Sequence, residues 1–263
     1  MFRQKLKKAA ATMTILILLP FVLTVFLSGG KGNEKEDILD TYCIGVLSQE
    51  VIEDYEDEML KAQAVIVRTT VHKEMQENGK KIDSEKAYEM KNEISADWYR
   101  RLKEIWDETE GQVLMYEDEL ALTPFHYLSS GATRDGKKVL GSDAYPYLES
   151  VSCPKDVESE EQINSFLIPV KKADIKEKDK SGYVTVVQVG EELVTGEQFR
   201  SAYGLASSCF TFQKAEEKTR VITKGIGHGL GLSQYTANEM AKEGKTYEEI
   251  LFYFFKDTKL KEV

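Results

Sequence analysis

Apolar and polar positions divide the chain into one long greasy run and a longer stretch of mixed periodicity. Residues 9–28, AAATMTILILLPFVLTVFLS, are apolar almost throughout, and Arg3, Lys5, Lys7 and Lys8 precede them. A signal peptide has a shorter apolar region and a small-residue cleavage site, so this run predicts an uncleaved membrane-spanning anchor. The basic flank makes 1–8 a cytoplasmic stub and puts the rest of the chain outside the cytoplasm. Residues 29–37, rich in glycine and charge, read as a linker, and 38–263 as the folded domain.

Within that domain, residues 42–47 (YCIGVL) form a continuous apolar run that predicts a short buried strand ending near Glu50. Residues 56–76 predict a helix, with Met59, Ala62, Gln63, Val65, Ile66 and Thr69 on one side and Asn78-Gly79 as its stop. Residues 87–109 continue as helix, with Trp98 and Trp106 toward the core. Residues 112–116 and 121–129 are strand-like around an acidic turn, a hairpin pattern. Residues 158–180 read as charged and irregular apart from the apolar run 166–170, and 182–189 as a strand. Thr195-Gly196 opens a helix through Phe199, Arg200 and Tyr203. Residues 235–245 predict a helix stopped by Gly244. Thr246 and Glu249 form a capping box for a last helix with Ile250, Leu251, Tyr253 and Phe254 on its apolar face. Helices and hairpins without regular βαβ alternation predict an α+β fold, helices packed on antiparallel hairpins.

The 263 residues carry a net charge of −10, with lysines scattered among acids. No basic stripe for nucleic acid results, although a local patch for an anionic polymer is compatible with that balance. Cys43, Cys153 and Cys209 can close at most one disulfide and lack metal-cage spacing, so each reads as a small buried hydrophobe.

The densest chemical signal is residues 225–235, GIGHGLGLSQY. Glycine at this density serves positive φ or close backbone approach. There is no phosphate-loop Lys followed by Ser or Thr, and no dinucleotide fingerprint. Two readings stand together: a turn capped by Ser233 at a helix start, and a ligand site in which His228, Ser233, Gln234 and Tyr235 present hydrogen-bonding groups. Glu50 differs from most acids in the chain because it follows an apolar segment and precedes Val51 and Ile52. Burial there would raise its carboxyl pKa, as a general acid requires; the alternative is an ordinary glutamate at a helix N-terminus. His126 reads as a core histidine or a site group, and Ser129-Ser130-Gly131 as a strand-end turn or a site wall. Arg68 either orients the site or pairs with a surface acid, and His72 reads as a surface residue. Gly-x-Ser-x-Gly is absent, which removes the elbow-type serine hydrolase.

Four segments carry a family resemblance: the Glu50-containing run 50–69 (EVIEDYEDEMLKAQAVIVRT), 125–133 (FHYLSSGAT), 145–151 (YPYLESV), and 225–255, beginning GIGHGLGLSQY. In this order they resemble the stage II sporulation protein D family over nearly all of the chain after the N-terminal segment. Thr70, Thr236 and Ile52 stand where that family usually has an aromatic, a glycine and a proline. The resemblance implies a lytic transglycosylase of bacterial cell-wall glycan. Glu50 would be its acid and then its base, and no cofactor would be needed. It implies substrate-binding roles for Arg68, His126, Ser129, Ser130, His228, Ser233, Gln234 and Tyr235, with 125–133 and 225–235 as two walls of an open groove around Glu50. Some members resemble metal proteins with a His and two Cys near the Ser-Ser-Gly segment. Here no cysteine follows His126 until Cys153, so no metal is expected. The implied partners are peptidoglycan strands and stage II sporulation proteins P (an amidase) and M (a membrane scaffold). The alternative is a non-catalytic glycan-binding module that enhances an amidase.

Overall fold

The computed structural model describes residues 37–79 and 81–263, and a compact unit runs from Thr41 to Val263. The expected anchor over 9–28 lies outside the described residues; among those, no helix is long and apolar enough to cross a membrane.

Residues 42–47 belong to a helix, α1 (Ile38–Glu50), and not to the expected strand. A continuous apolar run is shared by a buried strand and a buried helix, and periodicity alone does not separate them. Tertiary contact decides here: Gly45 lets α1 approach α3 (Ser84–Glu93) so closely that a Cβ on it would lie 2.8 Å from Met90 Cβ.

The spine of the unit is α2 (Asp57–Asn78). Its opening turn carries Asp57 and Glu58, which suit a helix N-terminus, and Gly79 ends it in the left-handed conformation at φ 62°. Met59, Leu60, Val65 and Ile66 are fully buried against β1 (Gln112–Tyr116), α4 (Ala96–Glu108) and the C-terminal helices. The single helix expected over 87–109 is two helices, because the chain is extended at Ile94 and Ser95 restarts it by capping Trp98 N. Trp106 is buried; Trp98 is only half-buried, beneath the Arg101 guanidinium.

β1 turns into β2 (Glu119–Leu120) through Glu117 and Asp118, both at positive φ (47° and 67°), as a two-residue hairpin requires. Pairing stops at Leu120 and resumes only at β3 (Phe125–His126), so the second strand is far shorter than 121–129. The C-terminal strand β11 (Lys259–Glu262) adds antiparallel to the other edge of β1. After a short helix α5 (Gly136–Leu140), residues 163–224 build a second core.

That core contains β4 (Ile163–Ile168) and β5 (Ala173–Lys178) where irregular chain was expected. Each strand has a solvated face: that of β5 carries charges, and that of β4 carries the apolar Ile163 and Leu167, so neither shows a clean alternation in the sequence. β4 pairs with β9 (Lys218–Lys224), which pairs with β8 (Phe210–Ala215); β5 pairs with β6 (Val184–Val189), which pairs with β7 (Glu192–Thr195). All these pairs are antiparallel. Phe199, on α6 (Gly196–Tyr203), packs with Val184, Val187, Phe210 and Val221. Thr195 and Gln198 close a capping box at the start of α6. The chain then returns through β10 (Leu232–Ser233) into α7 (Gln234–Lys242) and α8 (Tyr247–Phe254), the latter opened by the Thr246–Glu249 capping box. The fold is α+β, with helices packed on antiparallel sheets.

Candidate active site

Glu50 ends α1 and is exposed, so the burial expected for it is not found. The reason lies in its neighbours: Val51 turns inward at 7 % exposure, but Ile52 points out at 53 %. Glu50 instead lines a cavity of about 150 Å³ whose walls include Tyr42, Val46, Val67, Thr70 and Phe125. A second carboxylate, Glu74 on α2, lines the same cavity. Thr70 is small, and it stands in this wall with its hydroxyl 3.1 Å from that of Thr123.

Gln234 reaches this corner from α7. Its side-chain amide is buried and donates to the Glu50 carbonyl at 2.7 Å and to Gln63 Oε1 at 3.3 Å. One side chain therefore ties the end of α1 to the starts of α2 and α7. Replacing it leaves the Glu50 carbonyl and the buried Gln63 Oε1 without their donor, which costs about 1–3 kcal/mol. Gln234→Ala is expected to lower thermal stability by that amount and to misplace Glu50. Thermal melting and a glycan-cleavage assay on one preparation check both halves.

The segments expected to face each other across a groove are instead laced side by side. β10 pairs in parallel with β3, Leu232 opposite Phe125 and Ser233 opposite His126. Leu128 and Ile226 exchange both backbone hydrogen bonds, and Arg134 N donates to the Gly229 carbonyl at 2.7 Å. The glycines permit this lacing. A Cβ on Gly227 (φ 110°) would lie 2.7 Å from His126 Cβ, and one on Gly231 (φ 72°) would strike the Pro124 carbonyl.

Strand alternation sends Phe125 to the cavity and leaves His126 buried. His126 Nδ1 donates to the Leu230 carbonyl at 3.2 Å, which makes Nε2 an acceptor, and that atom has no partner among the described residues. Burial, reinforced by His228, lowers the His126 pKa to about 3. The His228 ring lies 5.8 Å away, accepts the Leu230 N–H on Nδ1 at 3.1 Å, and also has its pKa lowered by burial. A histidine depressed in the folded state favours folding above its unfolded pKa of about 6.5 and loses that contribution as pH falls. NMR of the ring protons is expected to show His126 neutral from pH 8 to pH 5, with its share of stability declining between about 6.5 and 3.

The group that organises the two segments is Asp156, on the tight turn Pro154–Glu158. It is fully buried. Its Oδ2 accepts the Ser129 N–H at 2.7 Å and the Ser233 hydroxyl at 2.8 Å, and its Oδ1 accepts the Thr236 hydroxyl at 2.6 Å. Burial pushes the carboxyl up, against the pull of these donors. Ser233 also caps α7, accepting from Thr236 N at 3.5 Å, so both readings of Ser233 meet in one residue.

Other expected site residues are placed elsewhere. Arg68 is buried and ties α2 to α4 and β1, donating to Thr109 Oγ1, the Trp106 carbonyl and the Gln112 carbonyl, with its guanidinium 3.7 Å over the Trp106 ring. Ser129 is fully buried on Asp156. Ser130 donates to the Ser181 carbonyl at 3.0 Å and lines a different cavity. His72 is half-buried on α2. Tyr235 is half-buried, and its backbone N–H donates to the Tyr127 carbonyl at 3.0 Å. Burial raises the pKa of both Tyr55 and Tyr127, with the Glu161 carboxylate adding to it in each case. Tyr55 and Tyr127 thus lie near Glu161, and Tyr235 adjoins Tyr127. Cys43, Cys153 and Cys209 are buried.

The model of the family described as stage II sporulation protein matches residues 33–116, which contain Glu50 and all of α2. Stage II sporulation protein D of Bacillus subtilis (strain 168) is 31% identical over 256 residues, covering 85% of this chain and 74% of that protein. The chain belongs to the stage II sporulation protein D family. The relative of that name in Bacillus amyloliquefaciens is 29% identical over the same shares. A 54-residue stretch, 20% of this chain, is 39% identical to the amidase enhancer of Bacillus subtilis (strain 168), of which it covers 8%. In this member of the stage II sporulation protein D family, sequence reasoning missed Asp156, Glu74, Tyr55 and Tyr127. Asp156 sits in a charged stretch whose only local signal is Pro154 opening a turn. Glu74 lies three positions after Val71, on the same helical face, but no residue type marks it apart from neighbouring surface acids.

Proposed function

We propose that this chain is a lytic transglycosylase acting on bacterial cell-wall glycan during sporulation. The observation that carries the reading is Glu50: an accessible carboxylate at a helix end, its backbone fixed by Gln234, beside a cavity with aromatic and aliphatic walls. In the proposed step Glu50, protonated, gives its proton to the glycosidic oxygen between N-acetylmuramic acid and N-acetylglucosamine as the C1–O bond breaks. The Glu50 carboxylate then takes the proton of the muramic C6 hydroxyl while O6 bonds to C1. Glu50 ends as it began, no water is consumed, and the product carries a 1,6-anhydro end. The bound sugar itself covers the exposed carboxylate and excludes water there. Tyr127 and Tyr235, both half-buried, offer rings and hydroxyls for neighbouring sugars. Mass analysis of purified peptidoglycan digested by the protein tests this, because anhydro ends are lighter by one water than hydrolytic ends.

The short match to the amidase enhancer favours a second reading, glycan binding without cleavage. It predicts strand binding with no new ends of either kind. In the same proposal, residues 9–28 hold the protein in the cytoplasmic membrane with the catalytic unit outside. The full-length protein is expected in the membrane fraction, and protease added to protoplasts is expected to digest the residues after Lys31. Full protection of the C-terminal part would mean that the orientation is reversed.

A further inference from the structure

Ser130 leads to a second cavity, of about 220 Å³, bordered by β5, β8 and β9. Lys178 and Lys224 line it, with Phe210 and Ile222 as its apolar side. We propose that this cavity binds the carboxyl terminus of a peptide: a carboxylate on a small aliphatic stem, with an amide N–H beside it.

The charge requirement comes from the lysines. Lys178 Nζ spends one proton on the Phe210 carbonyl at 3.1 Å and keeps two. Neither Lys178 nor Lys224 has a carboxylate within ion-pairing distance among the described residues, in a chain whose net charge is −10. Glu177 and Asp179 flank Lys178 in sequence, and neither pairs with it among the described residues; Asp179 is already engaged, its Oδ2 taking Arg134 Nε at 2.7 Å and its Oδ1 the N–H groups of Ser181 and Tyr183. Two ammonium groups at one cavity without a counter-charge fit one carboxylate.

The amide requirement comes from the hydroxyls. Ser130 gives its proton to the Ser181 carbonyl, and Ser181 gives its own to the Thr133 carbonyl at 2.8 Å. Both serines line the cavity, and with their protons spent their hydroxyls can only accept there, so a ligand group beside them should donate. A peptide terminus supplies the N–H next to its carboxylate; a simple hydroxy-acid ether or a phosphate does not. Phe210 and Ile222 are suited to a small side chain such as that of alanine.

Cys209 lines the same cavity and makes occupancy readable. Its thiol donates to the Gly182 carbonyl at 3.4 Å, and the residue is 7% exposed, against 0% for Cys43 and Cys153. The test measures the rate at which N-ethylmaleimide alkylates Cys209 in the full-length protein, by peptide mass mapping, with N-acetyl-D-alanine or N-acetyl-L-alanine added. One or both should protect in a saturable way, by 1 + [L]/Kd, about tenfold at ten times Kd. Protection by the D form identifies a cell-wall peptide as the source, and by the L form a protein tail. Lys178→Gln and Lys224→Gln are each expected to raise the half-protecting concentration about tenfold, the loss of one charged hydrogen bond. Both lysines are exposed, and Lys224→Gln keeps the test readable if losing the Lys178–Phe210 contact disturbs the fold. Equal protection in the variants, no protection by either compound, or equal protection by D-lactate, phosphate or chloride at matched ionic strength would overturn the proposal. The readout is alkylation and not glycan cleavage, so this site and the transglycosylase reading fail separately.

Discussion

Glu50→Gln is expected to abolish the release of anhydro-sugar ends from peptidoglycan while leaving the melting temperature unchanged. Glutamine keeps the shape of the side chain but can neither protonate the leaving oxygen nor take the proton of the C6 hydroxyl. A positioned proton donor of this kind contributes about 10²–10⁴ in rate, and here one carboxylate serves both halves of the reaction. The fold should not notice the change. Glu50 is exposed, and the contact that fixes its position is the backbone carbonyl bonded to Gln234, which the substitution leaves in place. Surface changes of this sort stay within about 0.5 kcal/mol. Glu74→Gln supplies the comparison, because Glu74 lines the same cavity. With the substrate's own hydroxyl as nucleophile, one carboxylate suffices and Glu74→Gln retains release of anhydro ends. A hydrolase that activates water needs two carboxylates, loses activity in both variants, and gives reducing ends. Wild-type release by Glu50→Gln would end the proposal outright.

What could be read from the sequence was what local chemistry controls. The extent of α2 follows from good helix formers, an acidic first turn and Gly79. The starts of α6 and α8 follow from capping boxes at Thr195 and Thr246, and that of α7 from Ser233. The chemistry near Glu50 was legible as a set of segments but not as an arrangement. Residues 42–47 carry no period, and the approach that Gly45 permits to Met90, distant in sequence, makes them helix. The glycines of 225–231 announced close approach, yet the sequence does not say to what; it is to the 124–128 backbone and His126, and so the expected facing walls are one laced sheet edge. Arg68 looked like a site cation because it is charged and sits on the helix bearing the family motif. Its partners, Thr109 and the carbonyls of Trp106 and Gln112, lie some forty residues on and become visible only when α4 and β1 pack. β4 and β5 were obscured because neither alternates cleanly: the solvated face of β5 carries charges, and that of β4 carries Ile163 and Leu167.

Asp156→Ala is expected to cost about 3 kcal/mol or more of stability and to remove activity, although the residue does not line the Glu50 cavity. The carboxylate accepts from the Ser129 N–H, the Ser233 hydroxyl and the Thr236 hydroxyl, and all three donors are buried. Each loses a partner in the alanine variant, at about 1 kcal/mol or more apiece for buried donors left unmade. In a unit of this size that lowers the melting temperature by about 6–12 °C. The activity loss follows from topology: Ser129 and Ser233 stand on the two laced segments, and Ser233 precedes the Gln234 that holds Glu50. Asp156→Asn distinguishes lost bonds from lost charge. Its oxygen can still accept from Ser129 and Ser233, and its NH₂ can donate to the Thr236 hydroxyl, so it should retain most of the stability. The sign with pH is fixed by the raised carboxyl. A group whose folded pKa lies above its unfolded value of about 3.9 favours folding at low pH, and that contribution is lost as pH rises through the folded value. Stability of the wild type relative to Asp156→Asn should therefore decline from about pH 4 upward, and urea titrations of both proteins across pH 4 to 8 measure it. An alanine variant that melts within a degree or two of the wild type would mean that Asp156 does not hold the two segments together.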